Sequence, residues 1–206
     1  IALLGYLFVN QSNKEIGFAE KEARGVAYIQ AMMPDFTALA GGESSLPSVD
    51  GLEAARGLYD ADMDSAALSD NYLAVRGMDT GAARAAVSAL LSRVGDTSNL
   101  ILDPDLDSYY VMDIIVLKLP ASLNAAADLV DVFAQSVAQP DDIDAIRIDL
   151  LSRLRIFREL IAGTGTSLDA AIDGNADGGV EKALGPALAD YRAVADTFAG
   201  KVTAAL

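Results

Sequence analysis

The chain has 206 residues, of which 52% are hydrophobic and 6% aromatic, and its formal net charge is −15. This length suits one large domain or two small packed modules. The charge disfavours nucleic acid as a partner, because an acidic surface repels phosphate. The sequence contains neither His nor Cys, which excludes Ser-His-Asp and Cys-His catalysis, His- or Cys-ligated zinc and disulfides. We therefore expect a chain that is not an enzyme and that uses no cofactor.

Apolar residues recur at helical spacing along the whole chain, and no alternation typical of β-strands is found. Alanine supplies much of the apolar content, which favours closely approaching helices because Ala is the strongest helix former and has little bulk. The sequence therefore predicts an all-α fold. Because the predicted loops are short, neighbouring helices should be antiparallel in an up-and-down bundle. The bundle is expected either as one module or as two stacked modules that share a long first helix.

The first helix is predicted from the N-terminus to about Ala40. Its opening segment, 1–9, is apolar and uncharged but shorter than the roughly 20 residues that cross a bilayer. Two interpretations stay open for it: the end of a transmembrane helix, or a buried first turn. Pro34 should kink this helix or end it near Met33, because proline removes a donor and clashes with the preceding turn. The composition of 40–50 predicts a loop.

Further helices follow from the same periodicity, and they are predicted at about 49–59, 64–94, 104–139, 140–172 and from about 180 onward. A turn is expected between about Gly95 and Asp103. There Asp103 should be the N-cap and Pro104 the first residue of the next helix, and Pro120 should bend that helix.

Three of these helices have distinctive patterns. Gly77 and Gly81 should weaken the helix at 64–94 in its middle. The helix at 140–172 has a core stripe with spacings of three and four, which consists of Ile143, Ile146, Leu150, Leu154, Phe157 and Ile161. The closing helix has a heptad-like stripe, which consists of Leu184, Leu188, Tyr191, Ala195, Phe198 and Val202.

The densest mix of amide, carboxylate and phenol groups lies in 96–113 (DTSNLILDPDLDSYYVMD). Binding pockets combine a few convergent polar groups with apolar walls, so a small-molecule site, if there is one, is expected here. Its candidate lining residues are Asn99, Asp103, Tyr109 and Tyr110. An acidic ligand would also need a basic residue such as Arg76 or Arg93. The alternative is that the carboxylates only favour a helix N-terminus and that one tyrosine fills the core.

Two stretches begin like a calcium loop and then depart from that pattern. Carboxylates alternate at Asp103, Asp105 and Asp107, but the glycine at the sixth position and the acidic residue at the twelfth are missing. In 173–178 (DGNADG) the glycine is present, but Leu184 occupies the twelfth position. The sequence therefore predicts a helix start and a tight turn here, and no metal site.

The stretch 98–113, together with 118–120 (KLP), resembles a segment found in periplasmic sensor regions of bacterial transmembrane receptors. Those receptors include methyl-accepting chemotaxis proteins, sensor histidine kinases and diguanylate cyclases. The stretch 16–28 (IGFAEKEARGVAY) resembles the first helix of such domains. Helical bimodular sensors are the most similar architecture. No ligand-binding motif is shared, so the resemblance transfers no ligand residues.

The resemblance implies one extracytoplasmic sensor domain over residues 1–206, attached to the bacterial inner membrane by flanking helices and lying on its periplasmic side. It also implies a homodimer with a signalling domain beyond the C-terminus. The expected ligand is an unknown small molecule, or a periplasmic binding protein loaded with one, and displacement of the terminal helices would be the signal. The first and last helices should then lie side by side at one end of the molecule. The alternative function is a structural dimerisation or spacer bundle without a ligand.

Overall fold

The computed structural model describes residues 2–43, 45–102, 105–138 and 143–205, and within them the fold is all-α without strands, as the sequence predicted. The helices are α1 (Ala2–Ala40), α2 (Asp50–Met63), α3 (Ala66–Val75), α4 (Thr80–Thr97), α5 (Leu106–Met112), α6 (Leu119–Ala138), α7 (Ile143–Gly174) and α8 (Gly179–Ala205). A 3-10 turn, Leu100–Leu102, follows α4, and a π-helical segment, Asp113–Lys118, joins α5 to α6.

The chain divides into two compact units. The first consists of Ile1–Leu39 and Glu43–Leu102, and the second of Ala40–Gly42 and Asp103–Leu206. Through Leu39, α1 belongs to the first unit. The single sensor domain over 1–206, the sharing of α1 between stacked modules and the adjacent placement of the first and last helices stay predictions.

In the first unit, α1 contacts the end of α4 at Gly25. A Cβ atom built on Gly25 would lie 3.1 Å from Cδ1 of Leu100 and closer still to Cβ of Ser98. Non-bonded carbon atoms are normally about 3.5–4.0 Å apart, so only glycine allows this approach. The core of the unit consists of buried apolar side chains from all four of its helices, among them Ile29, Met32, Phe36, Leu39, Leu52, Met63, Tyr72, Val87, Leu90, Leu91 and Val94.

The first helix ends at Ala40, as predicted, and of the two effects considered for Pro34 the end near Met33 is wrong, because α1 continues through Pro34. Pro34 leaves the carbonyl of Gln30 without its helical donor. Both residues are exposed, so water can take the place of that donor. On the opposite face, Met32 and Phe36 are fully buried and hold this part of α1 in the core.

The single helix predicted at 64–94 is also wrong, because α3 and α4 are separate helices. Gly77 has a φ of +83°, a left-handed conformation that glycine adopts at little cost. Asp79 then caps α4, since its carboxylate accepts a hydrogen bond from the N–H of Ala82 at 2.6 Å. The position of the weak point at Gly77 was predicted correctly, but the helix ends there instead of only being weakened.

The predicted interruption before the helix at 104–139 is confirmed for the residues that are described. The helix α4 runs past Gly95 to Thr97, and Asn99 follows with a φ of +67°. Asp103 and Pro104, the expected N-cap and first helical residue, lie outside the described residues. The described part of the next helix begins at Leu106, and Asp105 occupies its N-cap position.

The second unit contains a continuous helical rod, formed by α5, the π-helical segment and α6, which packs with α7 and α8. At one end the amide of Asn175 donates to Oδ2 of Asp107 at 2.9 Å, so the end of α7 meets the start of the rod. Towards the other end a core cluster joins α6, α7 and α8 through Leu129, Val132, Leu150, Leu154, Phe157, Ile161, Ala195 and Ala199. The rod and α7 are therefore antiparallel. The stripe predicted for 140–172 is buried from Leu150 to Ile161, as expected.

At Pro120 the structure has a π-helical segment directly before the proline. The N–H of Leu119 donates to the carbonyl of Ile114, five residues earlier. In an α-helix the ring of Pro120 would clash with the carbonyl of Val116, and we infer that the wider π turn relieves this clash. The helix therefore continues through Pro120, which is buried.

Part of the rod, Leu106–Ser136, is the one described helix that is long and apolar enough to cross a membrane, with a mean hydropathy of 1.3. Length and composition alone support this, and the core helix of a water-soluble bundle meets the same two criteria.

Candidate functional site

Five residues were expected to line a ligand site, and the structure gives those of them that it describes different surroundings. Asn99 lies in the turn after α4, and its left-handed φ is one that Asn tolerates better than most residues. Tyr109 and Tyr110 contact each other edge to face, with ring centroids 5.2 Å apart and planes at 75°. Asp103 lies outside the described residues. The fifth, Arg76, forms an ion pair.

Arg76 binds the buried carboxylate of Asp35, which is 3% exposed. Its Nε and one Nη donate to the two carboxylate oxygens at 2.6 and 2.8 Å, and it also donates to the carbonyl of Pro47. The hydroxyl of Tyr72 donates to the same carboxylate at 2.5 Å. Burial, then the hydrogen bond with Asp35, raises the pKa of Tyr72, and the hydrogen bond with Asp35 raises the pKa of Arg76. This ion pair links α1 to α3, and Arg76 already has an anionic partner.

A second carboxylate, that of Asp60, collects three hydroxyl donors. Tyr28, Ser65 and Ser69 donate to it at 2.5, 2.7 and 2.6 Å. Burial acts to raise the pKa of Asp60, but these hydrogen bonds and the charge of Arg56 lower it overall. Burial, then the hydrogen bond to Asp60, raises the pKa of Tyr28. The bonds connect α1, α2 and α3, so the cluster stabilises the first unit.

In the second unit, α7 contains the run 163–167 (GTGTS), where two glycines face cationic side chains. A Cβ atom on Gly163 would lie 3.6 Å from Cε of Lys118. The ammonium of Lys118 donates to Asp113 and to Ser167, and the buried hydroxyl of Ser167 donates to Oδ2 of Asp113 at 2.6 Å. These three side chains therefore connect the π-helical segment to α7.

A cavity of about 200 Å³ lies among the rod, α7 and α8. Its walls are almost entirely apolar, and side chains from each of these elements contribute to them, among them Ile114, Ile115, Leu168, Leu184, Leu188 and Tyr191. Ile114 and Ile115 belong to the π-helical segment. At the cavity edge the hydroxyl of Tyr191 donates to Oγ of Ser122 at 2.5 Å.

A larger groove of about 500 Å³ lies between α7 and α8. Its apolar part consists of Phe157, Ile161, Ala162, Ala195 and Ala199, and its polar part of Arg158, Thr166, Asp169, Arg192 and Asp196. The guanidinium of Arg192 lies against the backbone at Gly165, where a Cβ atom would be 2.7 Å from its Cζ. Tyr109 and Tyr110 do not contribute to the groove or to the cavity.

Sequence reasoning missed Arg192 and the run at 163–167. The available signal was composition, because two glycines and two threonines inside a long helix are poor helix formers and call for a reason from packing. Comparisons with protein-family models, with curated proteins and with solved structures gave no match.

Proposed function

We propose that this chain is a ligand-sensing domain of a bacterial transmembrane receptor, a chemoreceptor or a sensor kinase. In this proposal the domain lies on the periplasmic side of the inner membrane, is homodimeric and catalyses no reaction. The resemblance of 16–28, and of 98–113 together with 118–120, to receptor sensor regions supports it. So does the contact of Gly25 with Ser98 and Leu100, because it joins those two stretches in one packing arrangement.

The apolar cavity among the rod, α7 and α8, called the central cavity below, is the observation that carries the proposal. Close packing would hold these helices against one another, and the cavity leaves them room to move. Because the rod, α7 and α8 all border it, α8 can change its position against the other two. A ligand that binds one of two such packings more tightly shifts the population towards it. Small helix displacements of this kind are an established form of signal.

The alternative function is a dimerisation or spacer bundle without a ligand. The apolar cluster that includes Leu129, Leu154 and Ala199 favours it, because a continuous apolar core stabilises a bundle whether or not anything binds. The two functions differ in whether a small molecule stabilises the chain and moves α8.

Thermal-shift screening of the purified chain against a metabolite library tests the first difference. Because the sequence lacks Cys, cysteines introduced in place of Arg155 on α7 and Lys201 on α8 can be spin-labelled for distance measurement. A compound that raises Tm should change the distance between these labels. The control pair replaces Asp144 and Arg155, both on α7, and its distance should stay constant. A chain that no compound stabilises would be a spacer, and a stabilising compound that leaves the α7–α8 distance unchanged would contradict signalling by helix displacement.

A further inference from the structure

The groove between α7 and α8 holds charged side chains of both signs. Arg158 and Arg192 provide two guanidinium groups, and Asp169 and Asp196 provide two carboxylates. Among the described residues, Arg192, Asp169 and Asp196 have no ion-pair partner, and Arg158 donates to the hydroxyl of Thr203 at 3.0 Å. By contrast, Arg56 and Arg76 in the first unit have close carboxylate partners.

Gly165 leaves room for Arg192. Because Gly165 has no side chain, the guanidinium can approach the backbone of α7 closely, and a methyl group at this position would displace it. Placed in this way, the planar donors of Arg192 border the groove, where they suit a carboxylate in two-point contact. Beside them, the side chains of Phe157, Ile161 and Ala195 form an apolar surface.

We propose that this groove binds a free α-amino acid with an apolar side chain. The ligand carboxylate would contact Arg192, its ammonium group would contact Asp196 or Asp169, and its side chain would lie on the apolar surface. The two cationic and two anionic groups balance, so a ligand with only one charge would meet repulsion that a zwitterion avoids. The volume lies in the usual range of ligand sites, about 300–1,000 Å³. This inference rests on the proposed sensing function and names its ligand class.

The same geometry connects binding to a movement of α8. The described lining of the groove belongs to α7 and α8, so closure around a ligand would draw these two helices together. The preceding part of α8, which carries Leu184 and Leu188, borders the central cavity and has room to follow.

Calorimetric titration of the whole chain with each of the twenty common amino acids is the direct test. We expect binding by those with aliphatic or aromatic side chains. For leucine the matched probes are 4-methylpentanoate, which lacks the amine, and 3-methylbutylamine, which lacks the carboxylate. Each analogue should bind at least about tenfold more weakly, because one charge-assisted hydrogen bond is lost. No binding by any amino acid, or equal binding by an analogue, would overturn the ligand class.

Two variants test the site itself. Arg192→Gln removes the guanidinium, and Gly165→Ala displaces it, so both should weaken amino-acid binding about tenfold or more. The controls are Arg155→Gln, an exposed charge of α7 outside the groove, and Gly200→Ala, which has no neighbouring atom within 4 Å. Both controls should bind like the parent chain, and circular dichroism should show that all four variants are folded.

The outcomes separate this inference from the proposed function. If other compounds raise Tm and move α8 while amino acids do not bind, the ligand class is wrong and the sensing function stands. If amino acids bind and Arg192→Gln keeps full affinity, the groove is wrong. If no compound of any class binds, the sensing function fails as well.

Discussion

Replacement of Gly25 by Ala should destabilise the chain, because a new methyl group would enter the contact between α1 and the end of α4. That methyl would lie 3.1 Å from Cδ1 of Leu100 and closer to Cβ of Ser98. The Cβ of Ser98 is attached to the backbone, so relief requires a backbone shift, and such overpacking costs up to about 3 kcal/mol. The higher helix propensity of alanine offsets about 1 kcal/mol of this cost. We expect a net loss of about 2 kcal/mol.

Urea unfolding followed by circular dichroism measures this loss, with Gly17→Ala as the control on the same helix. Gly17 has no neighbouring atom within 4 Å, so its replacement should raise the free energy of unfolding by up to about 1 kcal/mol. Adding Ser98→Gly to the Gly25→Ala variant should restore most of the lost stability. Equal stability of the two single variants would refute the reasoning, because it would mean that α1 does not approach Ser98 closely.

Three further predictions concern the carboxylates and the cavity. Asp60→Asn should lower the free energy of unfolding by about 1–3 kcal/mol at neutral pH. The pKa of Asp60 is lower in the folded chain than in the unfolded chain. The ionised carboxylate therefore stabilises the fold above the unfolded-state pKa, and this stabilisation is lost as pH falls through the folded-state pKa. Urea unfolding across pH should show the difference from the parent chain shrinking in acid, and a constant difference would contradict this. Arg76→Met should cost about 3 kcal/mol in the same assay, because it leaves the buried Asp35 without its cation, and a loss below about 1 kcal/mol would argue against a buried ion pair. Ala187→Leu should raise the free energy of unfolding by about 1 kcal/mol by filling part of the central cavity; a lower Tm would mean that the cavity is too narrow for the added atoms.

The fold class could be predicted because the period of apolar residues is a local property of the sequence. It identified the buried face of α7 correctly at Leu150, Leu154 and Phe157. The effect of a proline is less local. Pro34 is tolerated because its side of α1 is exposed, and Pro120 because the preceding turn widens. Neither feature can be predicted from the residues next to the proline.

The polar sites were harder to predict because their partners are distant in the sequence. Arg76 was chosen as a cation available to a ligand, but it pairs with Asp35, 41 residues earlier. Arg192 was not chosen, because its environment depends on Gly165 in another helix, 27 residues earlier in the sequence. A single sequence shows which charges exist but not which of them have partners.

The glycine contacts of α7 have a consequence for the stiffness of this helix. Its four residues 163–166 (GTGT) are together about 3 kcal/mol less favourable in a helix than four alanines. In the folded unit Lys118 and Arg192 lie against the two glycines and supply contacts there. Because these four residues favour the helix less than their neighbours do, amide hydrogen exchange should be faster in the middle of α7 than in the turns on either side. The middle turn of α7 is therefore the place at which this helix should bend most easily when its two halves move relative to each other.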